Sequence, residues 1–376
     1  MKNREQSMST LSPGLLLISV IRTPKSYAQL LVQEREVVLR LARKSGLLAR
    51  LALLLQESGV WRRLSLRERN ILEGARVLCL EHERMLSWEV DRIRRAMWDS
   101  KVKLMVLKGA AFAQAGLDLA RGRMVADVDI LVEESQLDLV ESLLKKAGWE
   151  AEIHNTYDQR YYREWMHEIP PMRHRQRLTE VDVHHTILPR TSRLKPDGER
   201  ILEAAVPVED TPGLWRPSNE DLVLHVMVHL FYDGDMERGL RDLVDLDFLA
   251  RHFCQNDGFW DRLIMRATAL DVMLPTYYGL WTVHHLMETP IPNRVLITAR
   301  DAGKPGLVKG AIMRKLIALV IVPDAPDGVS KVRTVARWLL YLRSHWLRMP
   351  PLLLLKHLTR KSRRRINPDA RNRRAV

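Results

Sequence analysis

Two aspartates, Asp127 and Asp129, flank one valine in the run Asp127-Val128-Asp129-Ile130-Leu131-Val132. On a strand, residues two apart project from the same face, roughly 6–7 Å apart along the chain. Two carboxylates so placed at a strand end can share a hard, oxygen-seeking cation such as Mg2+. Ions held this way clamp a triphosphate and lower the pKa of an attacking hydroxyl in an in-line displacement. Alternating acids also occur on solvated strands, but the neighbours here are apolar. Unpaired acids on a buried strand are costly, and a metal or a basic partner is the usual remedy.

A second acidic run follows, Glu180-Val181-Asp182-Val183-His184, where either acid could add a third carboxylate. Asp182 is preferred because it heads the Asp-Val-His pattern. His184 has two readings, one as a substrate contact or buttress for Asp182, the other as a structural histidine bonded on a sheet face. The third element is Lys108-Gly109-Ala110. Gly109 follows an apolar run and precedes a helix-forming one, so its amide and the next two could face a phosphate at a helix N-terminus. Lys108 would add charge to that corner. A lone Lys-Gly carries almost no information, and its value comes from preceding the aspartate pair at this distance.

These groups need elements to hold them. Val102 to Leu107 is an apolar run that reads as a buried strand. Ala110 to Ala115 then favours helix and Gly116 can end it. Val128 to Val132 reads as a second strand, and Ser135 as the N-cap of a helix with Leu137, Val140, Leu143, Leu144 and Ala147 on its apolar stripe. Gly148 lies just past that helix, and Val181 to His184 is a third strand. Strand, helix, strand, helix, strand describes a compact α/β unit.

Helices flank it on both sides. Leu30, Leu31, Val37, Val38 and Leu41 recur at helical spacing, as do Ile71, Ala75, Leu78, Leu86 and Val90. After the stretch Pro207 to Pro217, Ser218 or Asn219 caps a helix with Leu222, Leu224, Val226, Val228 and Leu230. Further helices are expected over Gly239 to Phe253, Phe259 to Leu270 and Met273 to Met287. The expected organisation is a helical region over 1–100, an α/β core over 101–206, a helical domain completing the cleft over 207–330, and a basic amphipathic segment with its tail over 331–376.

Other clusters have blander explanations. His225 and His229 lie four apart on a helix, a spacing that chelates metals, yet no Glu follows His225. With Asp242 and Asp245 they would suit a helical metal phosphohydrolase, but packing of the helical domain on the sheet is preferred. Arg241 either completes the substrate side of the cleft or belongs to an interhelical ion-pair network. His154 to Arg177 is crowded with Tyr157, Tyr161, Tyr162, Arg173, His174 and Arg175, which suits nucleobase stacking. A solvated irregular connection is the preferred reading.

The 376 residues are enough for two or three compact units, and 46% hydrophobic content with 28% charged excludes a disordered composition. Cys79 and Cys254 have no metal-ligand spacing and read as reduced thiols. Leu15 to Ile21 is too short to span a bilayer and carries no evident cleavage site, so the expected location is cytoplasmic, with peripheral contact to the inner membrane open. The net charge of +14 concentrates at the C-terminus, in Lys361 to Arg365 and Arg371 to Arg374. Such a tail attracts RNA or anionic membrane, or simply aids solubility. Trp338, Trp346 and Leu352 to Leu355 add an amphipathic character that suits a membrane surface or a terminal helix packed on the domain. The oligomeric state is not legible.

The runs Leu107-Lys108-Gly109, Arg123 to Val132 and Val181-Asp182-Val183-His184 together resemble the bacterial family of uncharacterised nucleotidyltransferases, an outlying branch of the DNA polymerase β-type superfamily. The likeness runs from about Arg40 to Leu249. The resemblance implies an α+β fold with a minimal nucleotidyltransferase sheet, two Mg2+ ions on Asp127, Asp129 and Asp182, and a nucleoside triphosphate such as ATP near Lys108, Gly109 and Ala110. It also implies a basic role for Arg123, on phosphate or in locking the loop, and transfer of a nucleoside monophosphate to an acceptor hydroxyl. His184 and Arg241 would be available to substrate. One departure is Ala110, where the superfamily places serine, so that hydroxyl contact to phosphate is missing.

Overall fold

Apolar residues at helical spacing carry through as helices in the structure, a computed structural model that describes residues 11–153, 156–233, 236 and 239–350. His154, Leu352 to Leu355 and the basic clusters at 361–365 and 371–374 lie outside the described residues. The N-terminal helices are α1 (Pro13–Arg22), α2 (Val32–Lys44), α3 (Leu48–Glu57) and α4 (Leu66–Ala96). The last is 31 residues long and starts at a capping box, in which Ser65 Oγ accepts from Glu68 N and Glu68 Oε2 accepts from Ser65 N.

The α/β unit follows: β1 (Leu104–Val106), α5 (Lys108–Gln114), β2 (Asp127–Leu131), α6 (Leu137–Lys146), β3 (Trp149–Ala151), α7 (Thr156–Trp165), β4 (Met172–His174), β5 (Glu180–His184), α8 (Gly198–Glu203), β6 (Val206–Pro207) and β7 (Leu214–Arg216). The strands form one mixed sheet in the order β3-β4-β5-β2-β1-β7-β6. β2 runs antiparallel to β1 and parallel to β5, in a register that sets Asp127 opposite Glu180 and Asp129 opposite Asp182. Side chains alternate along a strand, so this register puts Asp127, Asp129, Asp182 and His184 on one face. Val128, Ile130, Val181 and Val183 are buried on the other.

The three expected strands are present, but the sheet has seven. The connection expected to be irregular contains α7 and β4, and the Pro207 to Pro217 stretch is the short β6–β7 pair. Each missed strand has two or three residues, too few for an alternating pattern to show. Pro207 sits on the outermost strand, where its missing N–H breaks no ladder bond. Ser135 does not cap α6: it lies in a 3-10 turn over Glu134–Gln136, and Gln136 holds the cap position without a side-chain bond.

The C-terminal helices are α9 (Asn219–Val228), α10 (Gly239–Phe253), α11 (Phe259–Ala269), α12 (Met273–Met287), α13 (Asn293–Gly303), α14 (Leu307–Ile321) and α15 (Lys331–Arg348). Ser218 caps α9 by accepting from Asp221 N at 3.1 Å. A π-turn over His229–Asp233 interrupts the chain after α9, a local widening that often accompanies a functional site. No helix among the described residues is long and apolar enough to cross a membrane.

One buried ion pair fastens this helical layer to the sheet. Arg123, in the loop before β2, bonds through Nε to Asp245 Oδ2 on α10 at 2.6 Å, with Asp242 Oδ1 3.9 Å from Nη2. Its guanidinium also lies 5.4 Å from the Phe112 ring of α5. Burial pushes the Asp245 carboxyl above its ordinary range despite the Arg123 charge, so Asp245 depends strongly on that partner. Arg123→Met therefore lowers unfolding free energy by about 3–5 kcal/mol, the cost of stranding a buried charge. Adding Asp245→Asn recovers much of that loss in denaturant melts; a double variant no more stable than Arg123→Met would disprove the coupling.

Candidate active site

The site is built around Asp129, which is 2% exposed in the middle of β2. A carboxylate there needs compensation, and two donors supply it. Lys108 Nζ lies 2.6 Å and His184 Nε2 2.9 Å from the same oxygen, Oδ1. Burial alone would raise the Asp129 pKa, but Lys108 and His184 outweigh it and hold the group far below the usual carboxylate range. The same contact acts in reverse on Lys108: burial lowers its pKa, and the Asp129 charge and hydrogen bond more than reverse that. Both groups are thus charged at neutral pH.

Local backbone brings Lys108 to this point. The Leu107 amide donates to the Asp129 carbonyl at 2.8 Å, closing the β1–β2 ladder. Lys108 then turns sharply with φ 46°, a left-handed conformation that a lysine rarely adopts. Gly109 follows because a side chain there would overlap Arg123 and come within 2.5 Å of Val125. Ala110 is 1% exposed and lies outside the lining of the cavity beside Asp127 and Asp129. With seven residues, α5 is short for a dipole-driven anion site, and the ammonium of Lys108 is the stronger charge at this corner.

Asp182 stands beside Asp129 on β5. Ligand atoms of Asp129, Asp182 and His184 all lie within 4.8 Å of one another. Burial first, then the negative charges of Glu168 and Asp129, push Asp182 up to about 7. Asp127 is also raised, by burial and then by Asp129, with Lys108 working against them. Two of the three acids on this face thus hold protons more tightly than free carboxylates do, while the Lys108 ammonium is already bound to the third. Hard oxygen donors short of positive charge fit a divalent ion such as Mg2+. Lys108 and His184 both fall on Asp129 Oδ1, so Oδ2 receives neither.

A cavity of 380 Å³ opens beside this face. Its lining includes Lys108, Gly109, Asp127 and Asp129 from the α/β unit, and His225, His229, Arg241 and Asp242 from the helical layer. Residues of both parts thus line one cavity. Arg241 lines the cavity while bonding Asp242 Oδ1 at 2.8 Å, and Arg123 lines it while held by Asp245. His225 is buried, and burial first, then the Lys108 charge, holds it well below the usual histidine range. Among the described residues, neither His225 nor His229 belongs to a metal-like cluster.

Several groups fall elsewhere. His184 is 2% exposed, lies outside the cavity lining and supports Asp129 rather than Asp182. Glu180 lies beside Arg173, 4.0 Å from its Nε. Tyr157 and Tyr161 pack edge-on against Trp165, Tyr161 against Tyr162, and Arg175 pairs with Glu150, so this cluster is spent on its own contacts. Sequence reasoning missed Glu168 and His167, which reach His184 from the segment before β4. Their only trace is an adjacent His-Glu pair, too common to single out.

Comparison with known proteins is sparse: no curated protein and no solved structure matches the chain. One family model does match, over residues 33–288, a span that contains both acidic strands, the Lys108-Gly109 corner and the Arg123–Asp245 tie. On that match, which covers well over half of its length, the chain belongs to the uncharacterised nucleotidyltransferase family.

Proposed function

We propose that the protein is an Mg2+-dependent nucleotidyltransferase that moves a nucleoside monophosphate from a nucleoside triphosphate to an acceptor hydroxyl. The observation that carries this reading is the parallel register of β2 and β5, which brings Asp182, itself outside the cavity lining, beside Asp129, which lines the cavity with Asp127, Lys108 and Gly109. Asp127, Asp129 and Asp182 would hold the metal, which supplies charge neutralisation for the triphosphate and acidifies the acceptor. The acceptor oxygen forms a bond to the α-phosphorus as the bond to the bridging oxygen breaks, and pyrophosphate leaves. Asp182 would join the metal and help take the acceptor proton. Lys108, beside Asp129, and the Gly109 amide would contact the phosphates. The acceptor class, whether small molecule, sugar, RNA or protein, is left to experiment.

A second reading concerns α15 alone. Val332, Val335, Leu339, Leu342 and Trp346 are exposed at alternating three- and four-residue steps, while Ala336, Leu340 and Ser344 are buried on the opposite side. Trp338 is 59% exposed beside this stripe. The sequence that follows carries Lys356, Arg360, Lys361, Arg363, Arg364 and Arg365. An apolar, Trp-bearing stripe followed by basic residues suits adsorption to an anionic membrane surface, where each cation adds about 1 kcal/mol.

Transfer of label from α-labelled nucleoside triphosphate into an extract-derived acceptor tests the first reading. Asp127→Asn reduces it by about a hundredfold or more, the scale of losing electrostatic stabilisation of a transition state. Asp129→Asn does the same while also freeing Lys108, so Asp127→Asn is the cleaner probe. Full activity in both variants would sink the mechanism. For the second, the full chain floats with vesicles rich in anionic lipid, and Trp338→Glu with Trp346→Glu removes that association. Absence of flotation, or equal flotation with neutral vesicles, rejects the membrane role.

A further inference from the structure

On the side of β5 away from β2, a second group of ligands meets at His184. Glu168 pairs with His184 as an isolated antiparallel bridge, flanked by Ile169 N to Val183 O and His185 N to His167 O bonds of 3.0 Å each. This short stretch runs along the end of β5 and delivers His167 and Glu168 to the ring of His184. The ligand atoms of His167, Glu168 and His184 lie within 4.8 Å of one another.

Two ring nitrogens in this group are unaccounted for. His184 is 2% exposed, and with Nε2 on Asp129 its Nδ1 is buried without a hydrogen-bond partner. His167 Nδ1 is likewise buried and unpartnered, and the two rings sit 5.1 Å apart with a 31° tilt. Leaving such atoms unsatisfied costs about 1–3 kcal/mol each. Glu168 Oε2 is 3.4 Å from His184 Nδ1, beyond the roughly 2.7–2.9 Å of a charge-assisted hydrogen bond. It does match a tetrahedral metal, because two ligands at about 2.0–2.2 Å from one ion lie roughly 3.4 Å apart.

We propose that His167, Glu168 and His184 form a site for a borderline divalent cation of the Zn2+ class, separate from the carboxylate pair on β2. Two imidazoles and one carboxylate are the ligand set that imidazole-preferring metals favour over Mg2+. The fourth position is open to water. A ligating histidine commonly donates its other N–H to a carboxylate, which sets its tautomer and ring angle. Here that carboxylate is Asp129, so a cation on His184 Nδ1 fixes the Nε2–H that Asp129 accepts. The consequence is a route by which metal at one end of His184 sets the geometry of the acid at the other. The proposal does not depend on transfer activity.

The test uses the full chain, stripped with a chelator and titrated with Zn2+ by calorimetry and with Co2+ by visible absorption. The expected result is one equivalent of each, with the intense Co2+ bands of a four-coordinate site. His167→Ala and Glu168→Gln weaken binding at least tenfold, whereas Asp182→Asn, which removes a ligand only from the carboxylate cluster, leaves it unchanged. No stoichiometric binding overturns the proposal, as does binding that survives both His167→Ala and Glu168→Gln. Loss of binding in Asp182→Asn overturns it too, because the ion then sits between Asp129 and Asp182. Should His167→Ala fail to fold by circular dichroism, the near-isosteric Glu168→Gln decides the outcome by itself.

Discussion

A carboxylate in the centre of a sheet must be neutralised where it stands, and the Asp129–Lys108 contact does this at the start of α5. Removing two such charges from water costs several kcal/mol per ion before their attraction is counted. The left-handed backbone of Lys108 adds strain of order 1–3 kcal/mol. That strain is tolerable because the alternative, an unpaired Asp129 at 2% exposure, costs more. Once Lys108 is turned inward, the residue after it must be small enough for Arg123 and Val125 to close over the chain, which is why glycine occupies 109. Closure then sets Arg123 against Asp245 and so fixes where α10 sits. A single buried charge thus propagates through four residues to the position of the helical layer.

The same charge dictates the chemistry available at the sheet face. In the parallel register Asp182 cannot avoid Asp129, and a slip of one residue would turn every acid on β5 to the opposite, apolar side. Register and burial together therefore enforce a face in which Asp129 is ionised while Asp127 and Asp182 hold protons more tightly than free carboxylates do. This division follows from position. Asp129 has Lys108 and His184 within bonding distance, whereas Asp182 faces Glu168 and Asp129 first.

How much of this was legible in the sequence depended on the range of each interaction. Long helices announce themselves through periodicity, so Gly239–Phe253 and Met273–Met287 occur with the expected limits. The acid pair was legible because its meaning lies in a two-residue spacing on an apolar strand. Strands β3, β4, β6 and β7 were not, because two or three residues cannot display a period even where, as in the β6–β7 and β4–β5 pairs, the partner is close in sequence. Arg123 was read as a phosphate contact or a loop lock. Its partner stands 122 residues away on another element, and no local pattern connects them. Lys108 was expected to serve phosphate, and the structure adds that Asp129 already holds it. The bond from His184 to Asp129 crosses strands, so sequence adjacency pointed to Asp182 instead.

Those long-range pairs also bear on how a cleft crowded with acids would receive the triphosphate of the proposed function. Each guanidinium has five donors in a fixed fork, and the bonds of Arg123 to Asp245 and of Arg241 to Asp242 use only part of that set. Held by carboxylates on one side, the forks lose little further side-chain entropy when a ligand arrives on the other, unlike flexible surface arginines. The Arg123 fork is pressed against Gly109, so its position is set by the same closure that places Lys108. Asp242 and Asp245 are therefore supports for the two arginines that line the cavity with Asp127 and Asp129. In the function proposed above, the metal would sit at the carboxylates of β2 and the phosphate chain would reach the preset forks of Arg123 and Arg241.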